Sequence, residues 1–278
     1  MEFVHAQESK GLLSDEVLRT KANELVGEGT ISLSWIQRFK FRHRVTLHNM
    51  HGEAGSVDTA DLGQQRAKLM ELLDKYNPQD IFNMDETALF YRMLPSQTLA
   101  TKSVAGKKKD KTRISIGLCC NLAGTEKLEP IVINRAAKPR CFKGVNVGAI
   151  PMDYFSNQKA WMHSEVFLKW VRALNLKMHG RRILLVLDNA AGHVDIELNN
   201  VYIHFLPKNT TSHLQPMDAG IIRNFKLKYK KLFVQWVIEQ TGPQKRLDLL
   251  TAIKFVVDAW NAVSDATIRR YTRLCQEA

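Results

Sequence analysis

The chain has 278 residues, 45% hydrophobic and 24% charged, a globular composition long enough for one large domain and a smaller companion. Forty Lys/Arg against 28 Asp/Glu give +12 and a pI near 9.6, which points to a polyanionic partner, nucleic acid or an acidic membrane surface. No apolar run reaches the roughly 18 residues of a membrane span, Met1-Glu2-Phe3-Val4-His5 has neither the basic region nor the apolar core of a signal, and Cys119, Cys120, Cys141 and Cys275 show no CxxC spacing. A membrane protein, a disulfide scaffold and a zinc knuckle are therefore not expected, and the thiols are expected reduced and buried.

The charge is uneven. Residues 1–57 hold seven basic and seven acidic residues, so the whole excess lies beyond them. Within 1–57 the pattern is helical. Ser14 is an expected N-cap, with Asp15 and Glu16 in the first turn, and Val17, Leu18, Ala22 and Leu25 recur at helical spacing. Gly27 and Gly29 end that helix. Ser32 or Ser34 caps a second, whose apolar stripe is Ile36, Phe39 and Trp35, leaving Arg38, Lys40, Arg42 and Arg44 outside. Helix, glycine turn and basic helix make a helix-turn-helix pattern or an ordinary solvated basic face. Leu13–Ala22 followed by Ser34–Lys40 resembles the second helix-turn-helix of centromere protein B and the pogo/Tigger transposases. In that family a first such module precedes it. Only Met1 to Leu12 stand before the pattern here, so the region is expected to be a partial one.

Residues 53–61 read as a linker. A helix follows over 62–76 and stops at Asn77-Pro78. Asp80–Thr87 reads as a short strand ending in acids. Residues 99–111 read as a loop ending in Lys107-Lys108-Lys109-Asp110-Lys111. Arg113–Asn121 and Leu128–Asn134 form an expected hairpin across Leu122-Ala123-Gly124-Thr125, with Pro130 marking the second as an edge strand. A helix spans about His163–His179. Arg181-Arg182 then lead into Ile183-Leu184-Leu185-Val186-Leu187, a run expected to be buried on both faces and closed by Asp188. Val201–Leu206 is another strand, Pro216 opens a long helix, and helices at Leu249–Val263 and from Ala266 complete the chain. This order fits an α/β, ribonuclease H-like mixed sheet flanked by helices, after a small all-α N-terminal helix-turn-helix region and before a helical C-terminal tail. The expected divisions are 1–57, 58–238 and 239–278.

Asp85, Asp188 and Asp218 stand out. Two close strands. The third begins a helix whose apolar stripe, Ile222, Phe225, Tyr229, Leu232 and Trp236, lies in line with it, so all three acids point to one place on the sheet. Lys226, Lys228, Lys230 and Lys231 fall on other faces. Three converging carboxylates repel, and hard divalent cations such as Mg²⁺ relieve the repulsion through oxygen ligands. Two such ions about 4 Å apart suit phosphodiester chemistry. Ordinary structural roles remain open: a turn cap by Asp85 with Thr87, an Asx-turn at Asp188-Asn189, and a favourable dipole at Asp218.

The surrounding wording bears on that choice. Asn83–Tyr91, Leu187–His193 and Leu206–Gly220, with Glu126–Ile133, Lys138–Lys143 and Ala259–Ser264, resemble in order the DDE-superfamily endonuclease domain of pogo/Tigger elements. The resemblance implies that Asp85, Asp188 and Asp218 are catalytic Mg²⁺ or Mn²⁺ ligands. It implies a nuclear protein that cuts DNA at element ends and transfers the 3′-hydroxyl to a target, with a homo-oligomer as the candidate assembly and no membrane partner. The alternative is a domesticated DNA-binding protein that keeps the fold and leaves the chemistry unused. His193 is expected to contact substrate or, as an ordinary loop histidine, its own backbone. Glu86 should face away from Asp85 and is left out of the site. Residues 99–145 hold eleven basic and three acidic residues. Arg38, Lys40, Arg42, Arg44, Lys107, Lys108, Lys109, Lys226 and Lys230 are the expected DNA contacts, and Lys107–Lys111 also suits a nuclear localisation signal.

Overall fold

The structure, a computed structural model, describes residues 1–8, 13–27, 29, 31–46, 59–94, 110–207, 210, 214–240 and 245–277. It divides into two compact units, Met1–Gly55 and Ser56–Ala278.

The first unit contains α1 (Glu2–Glu8), α2 (Asp15–Val26) and α3 (Leu33–Arg42). Both expected caps form. Ser14 accepts a hydrogen bond from the Val17 N–H and Ser32 from that of Trp35, each at 3.2 Å. Gly27 ends α2 at φ 106°, a backbone region that a side chain would resist. The turn to α3 is tied by the Ile31 N–H to Asn23 Oδ1 and by Arg19 Nε to the Ile31 carbonyl. Val4, Leu18, Ile31 and Ile36 form the core, so α1, absent from the sequence reading, contributes to it.

The second unit is built on a six-stranded sheet of order β4-β3-β2-β1-β5-β6. Its strands are β1 (Ile81–Leu89), β2 (Ile114–Asn121), β3 (Ile131–Asn134), β4 (Asp153–Ser156), β5 (Ile183–Leu187) and β6 (Val201–Phe205). β1, β2 and β3 pair antiparallel, and β5 and β6 extend the sheet in parallel with β1. The sequence reading missed β4, which pairs parallel with β3 and takes the sheet edge from it. Pro130 is tolerated because it precedes β3 and needs only its carbonyl, which accepts from the Asp153 N–H at 3.1 Å.

Alternation along β1 sorts the helices. Phe82 and Met84 join Ile183, Leu185 and Leu187 under α5 (Ser164–Lys177). Ile81 joins Leu184 and Val186 under α4 (Thr59–Leu73). Ile114, Ile116 and Leu118 of β2 pack under α6 (Ile222–Ile238) and α7 (Leu249–Asn261).

Residues 245–277 are no appendage to this unit. Trp260 is buried and donates its indole N–H to the Leu128 carbonyl. Lys127 donates to the carbonyls of Trp260, Asn261 and Val263 around the end of α7. The last helix, α8 (Asp265–Glu277), adds Ile268 to the same core.

Candidate functional site

Asp85 does not close its strand; it stands in the middle of nine-residue β1. The pairing of β1 with β5 runs through Ile81↔Leu184, Phe82↔Leu185 and Asn83↔Val186. Carried two residues further, that register brings Asp85 opposite Asp188, just past the end of β5. The 103-residue spacing of the two acids is thus the register offset of two neighbouring parallel strands.

Asp218 arrives on a different element from the one expected. The long helix begins at Ile222, and Met217–Ile221 forms a π-type turn interrupted at Gly220. Gly220 lies so close to the Tyr271 ring of α8 that a Cβ there would meet Tyr271 Cζ at 2.1 Å. The close approach explains both the glycine and the break in the helix. The apolar stripe of α6 is nevertheless as read, with Ile222, Phe225 and Tyr229 buried and Phe233 added.

Asp85 is only 6% exposed. Its Oδ1 accepts from the Glu86 N–H at 2.7 Å. Burial raises its carboxyl well above the usual carboxylate range, and the charges of Asp218, Glu86 and Asp188 add to the rise, as does a side-chain hydrogen bond with Asp218. Asp85 therefore feels three other carboxylates at this point. Burial lowers the Lys226 ammonium, one turn into α6, and the charges of Asp85 and Asp218 oppose that shift.

The sheet stops at Asp188, so its carboxylate can also be reached from the α5 side. There His193 Nδ1 lies 3.1 Å from the Asp188 carbonyl and 2.8 Å from its Oδ1, the latter an ion-pair contact without linear hydrogen-bond geometry. Nε2 lies 3.0 Å from Glu86 Oε1. The imidazole, 1% exposed, packs against the Phe167 ring. Burial opposes its charge, but the Asp188 and Glu86 carboxylates more than offset that and raise it to about 10. His193 is thus a cation clamped between two carboxylates as well as a backbone-bonded loop residue. A cleft of about 570 Å³ opens beside this group. Asp85, Glu86, Asp188, His193, Asn157 and Trp161 are among the residues that line it.

Among the described residues no three His, Cys, Asp or Glu side chains form a ready-made cation cage. The donor set is nonetheless all oxygen, and a buried Asp85 with three carboxylates around it is short of positive charge, which fits a hard divalent cation.

The family described as DDE superfamily endonuclease matches residues 111–271, more than half of the chain. The chain belongs to that family. Its DDE relatives include Tigger transposable element-derived protein 4 of Mus musculus, 32% identical over 91% of this chain and 51% of its own length. CENP-B homolog protein 2 of Schizosaccharomyces pombe is 31% identical over 85% and 49%. The human major centromere autoantigen B is 28% identical over 93% and 48%. The chain spans about half the length of the curated relatives it matches. Among solved structures, the mariner Mos1 paired end complex with Mg aligns at TM-score 0.55 and 11% identity over 98% of this chain and 75% of that one. The complex with Mn aligns at 0.53 and 12% over 99% and 75%. The expected ribonuclease H-like fold is the fold observed.

The basic residues expected around this DDE domain and in the N-terminal unit divide. Arg38, Arg42 and Arg44 are exposed. Lys40 is not available in the same way: its ammonium pairs with Asp15 Oδ1 at 2.6 Å and ties α3 to the start of α2. Lys230 donates to the Met93 carbonyl and lies over the Phe233 ring, so it anchors a loop. Lys226 is half-buried instead of on a wet face. Lys107, Lys108 and Lys109 lie outside the described residues, as does His213. Glu86 does face α5 as alternation requires, yet it reaches the site through His193. The signal for this was the five-residue step from Asp188 to His193, short enough for the loop to fold back.

Proposed function

We propose that the chain is a transposase-type endonuclease domain that cuts a DNA strand at an element end and joins the freed 3′-hydroxyl to target DNA. In the first step water attacks a phosphodiester, the P–O3′ bond breaks, and a 3′-hydroxyl and a 5′-phosphate result. In the second step that hydroxyl attacks a target phosphodiester and displaces its 3′-oxygen, so no covalent bond to the protein is needed. What supports the reading is the burial of Asp85, whose carboxyl is raised by that burial and by the charges of Asp218, Glu86 and Asp188, on a strand whose register with β5 runs towards Asp188. Asp85, Asp188 and Asp218 would hold Mg²⁺ or Mn²⁺, which supplies Lewis acidity and neutralises charge at the phosphate.

The chain's own residues do the rest. His193 holds the Asp188 carboxylate in place and keeps Glu86 from adding an uncompensated charge. Lys226 would meet a phosphate that approaches the acids, and Arg38, Arg42 and Arg44 would meet DNA backbone. DNA as partner and the nucleus as location follow from this reading and from the Tigger and centromere relatives. The paired-end complexes of the structural neighbours make a homo-oligomer the assembly to test.

The second reading, a domesticated DNA-binding protein, is favoured by the centromere relatives and by the lack of a ready-made cation cage among the described residues. Nicking of supercoiled plasmid in Mn²⁺ or Mg²⁺ separates the two. The wild type should nick. Asp188→Asn should lose more than the roughly 100-fold that marks the upper range for supporting residues, with DNA binding spared. Nicking retained in Asp188→Asn would refute the acid assignment. No nicking by the wild type on plasmid or on candidate element ends, with salt-sensitive DNA binding intact, would favour the second reading.

A further inference from the structure

Asn83 is 1% exposed in the middle of the sheet, where an apolar β-branched residue would fit strand and core better. Its amide spans two other segments. Nδ2 donates to the Val186 carbonyl and Oδ1 accepts from the Met217 N–H, both at 3.1 Å. Main-chain groups have fixed polarity, so the carbonyl must meet the NH₂ and the N–H must meet the oxygen, and the orientation of the amide is forced.

The positions of the three segments matter more than the bonds themselves. Asn83 lies two residues before Asp85, Val186 two before Asp188, and Met217 immediately before Asp218. One side chain therefore joins the backbones that carry all three acids. β1 and β5 are already paired at this point. The Met217–Ile221 turn is part of no strand; apart from the Asp85–Asp218 contact, Gln215 just before the turn ties to β1 through Nε2 to the Met84 carbonyl, longer at 3.4 Å. Tyr271 blocks the turn on its far side at Gly220.

We propose that Asn83 is a positioning residue that fixes the distance of Asp218 from Asp85 and Asp188, and through it the affinity of the acid site for a divalent cation. The inference rests on the reading of the three acids given above. The chemistry explains why asparagine is used. Leucine fills the space but makes neither bond. Ionised aspartate accepts from Met217 but cannot donate to Val186. Glutamine adds a methylene and pushes the turn away.

The test uses the full chain with Asn83→Leu, which keeps the volume, and Asn83→Ser, which leaves room for water. Mn²⁺ binding is followed by electron paramagnetic resonance, nicking is measured across Mn²⁺ concentrations, and DNA binding is measured in EDTA. The half-saturating Mn²⁺ concentration should rise about tenfold or more, as for outer-shell partners of metal ligands. DNA binding should stay unchanged, and saturating Mn²⁺ should restore most of the nicking rate. A purely structural residue would lower the melting temperature without moving the Mn²⁺ midpoint. A folded variant whose midpoint stays within twofold of the wild type overturns the proposal, and so does loss of the fold in both variants, which would assign Asn83 to the core alone. If the wild type itself neither binds Mn²⁺ nor nicks, it is the acid reading that falls.

Discussion

The two compact units use charge in opposite ways. In residues 1–55 a core of four side chains supports α3, whose arginines Arg38 and Arg42 stay exposed, with Arg44 just beyond its end. In residues 56–278 the notable charges are sunk, with Asp85 6% exposed beside other carboxylates. Exposed cations cost little to keep and remain able to meet a polyanion. A buried carboxylate among carboxylates costs folding energy, and a protein keeps it where the strain serves a function. The difference teaches where each kind of substitution should register: in DNA affinity for the first unit, in stability and metal dependence for the second.

Three changes would break or sharpen that contrast. Replacing Arg38, Arg42 and Arg44 together by alanine should reduce the slope of log affinity for DNA against log salt by up to about three. Lys40→Ala should leave that slope alone and cost only about 0.2–1 kcal/mol of stability, because Lys40 is committed to Asp15. Equal effects from Lys40 and the arginines would erase the distinction between exposed and internal charge. Gly220→Ala should destabilise the larger unit by about 1–3 kcal/mol in thermal melts, since its methyl can enter only if the Tyr271 ring moves. An unchanged melt would show that α8 does not brace the turn.

One further effect carries the opposite sign. The Asp85 carboxyl is raised on folding, so between its ordinary value near 3.8 and its raised one the folded chain binds more protons than the unfolded chain. Stability is therefore lost as pH rises through that window. Asp85→Asn removes the loss. In EDTA it should stabilise the protein by about 0.5–2 kcal/mol near neutral pH, a gain typical of relieving a functional site, and the gain should vanish below about pH 3.8. Destabilisation by Asp85→Asn at neutral pH would remove the cost from the sunk-acid side of the comparison.

Local pattern carried much of this into the sequence. Ser14 and Ser32 cap helices because a short hydroxyl followed by a helical stripe has few other uses. Ile183–Leu187 is a central strand because five apolar residues between charges must be buried on both faces. The stripe Ile222, Phe225 and Tyr229 survives even though its helix starts later than Pro216 suggests. Other features left little local trace. β4 is four residues with no clear alternation, recruited by the exposed edge of β3. Lys226 and Lys230 read as wet because their long stems fit either setting, and only the neighbours Asp85, Asp218 and Met93 decide where the ammonium goes.

The sequence by itself determined the periodicities and the caps, since each depends on residues close in the chain. Only the tertiary structure decided that Asp85 faces Asp188, that His193 clamps Asp188 to Glu86, and that Asn83 links all three acid-bearing segments. Strand register and side-chain reach are set by contacts between residues far apart in the chain, and spacing along one strand does not encode the offset of its neighbour.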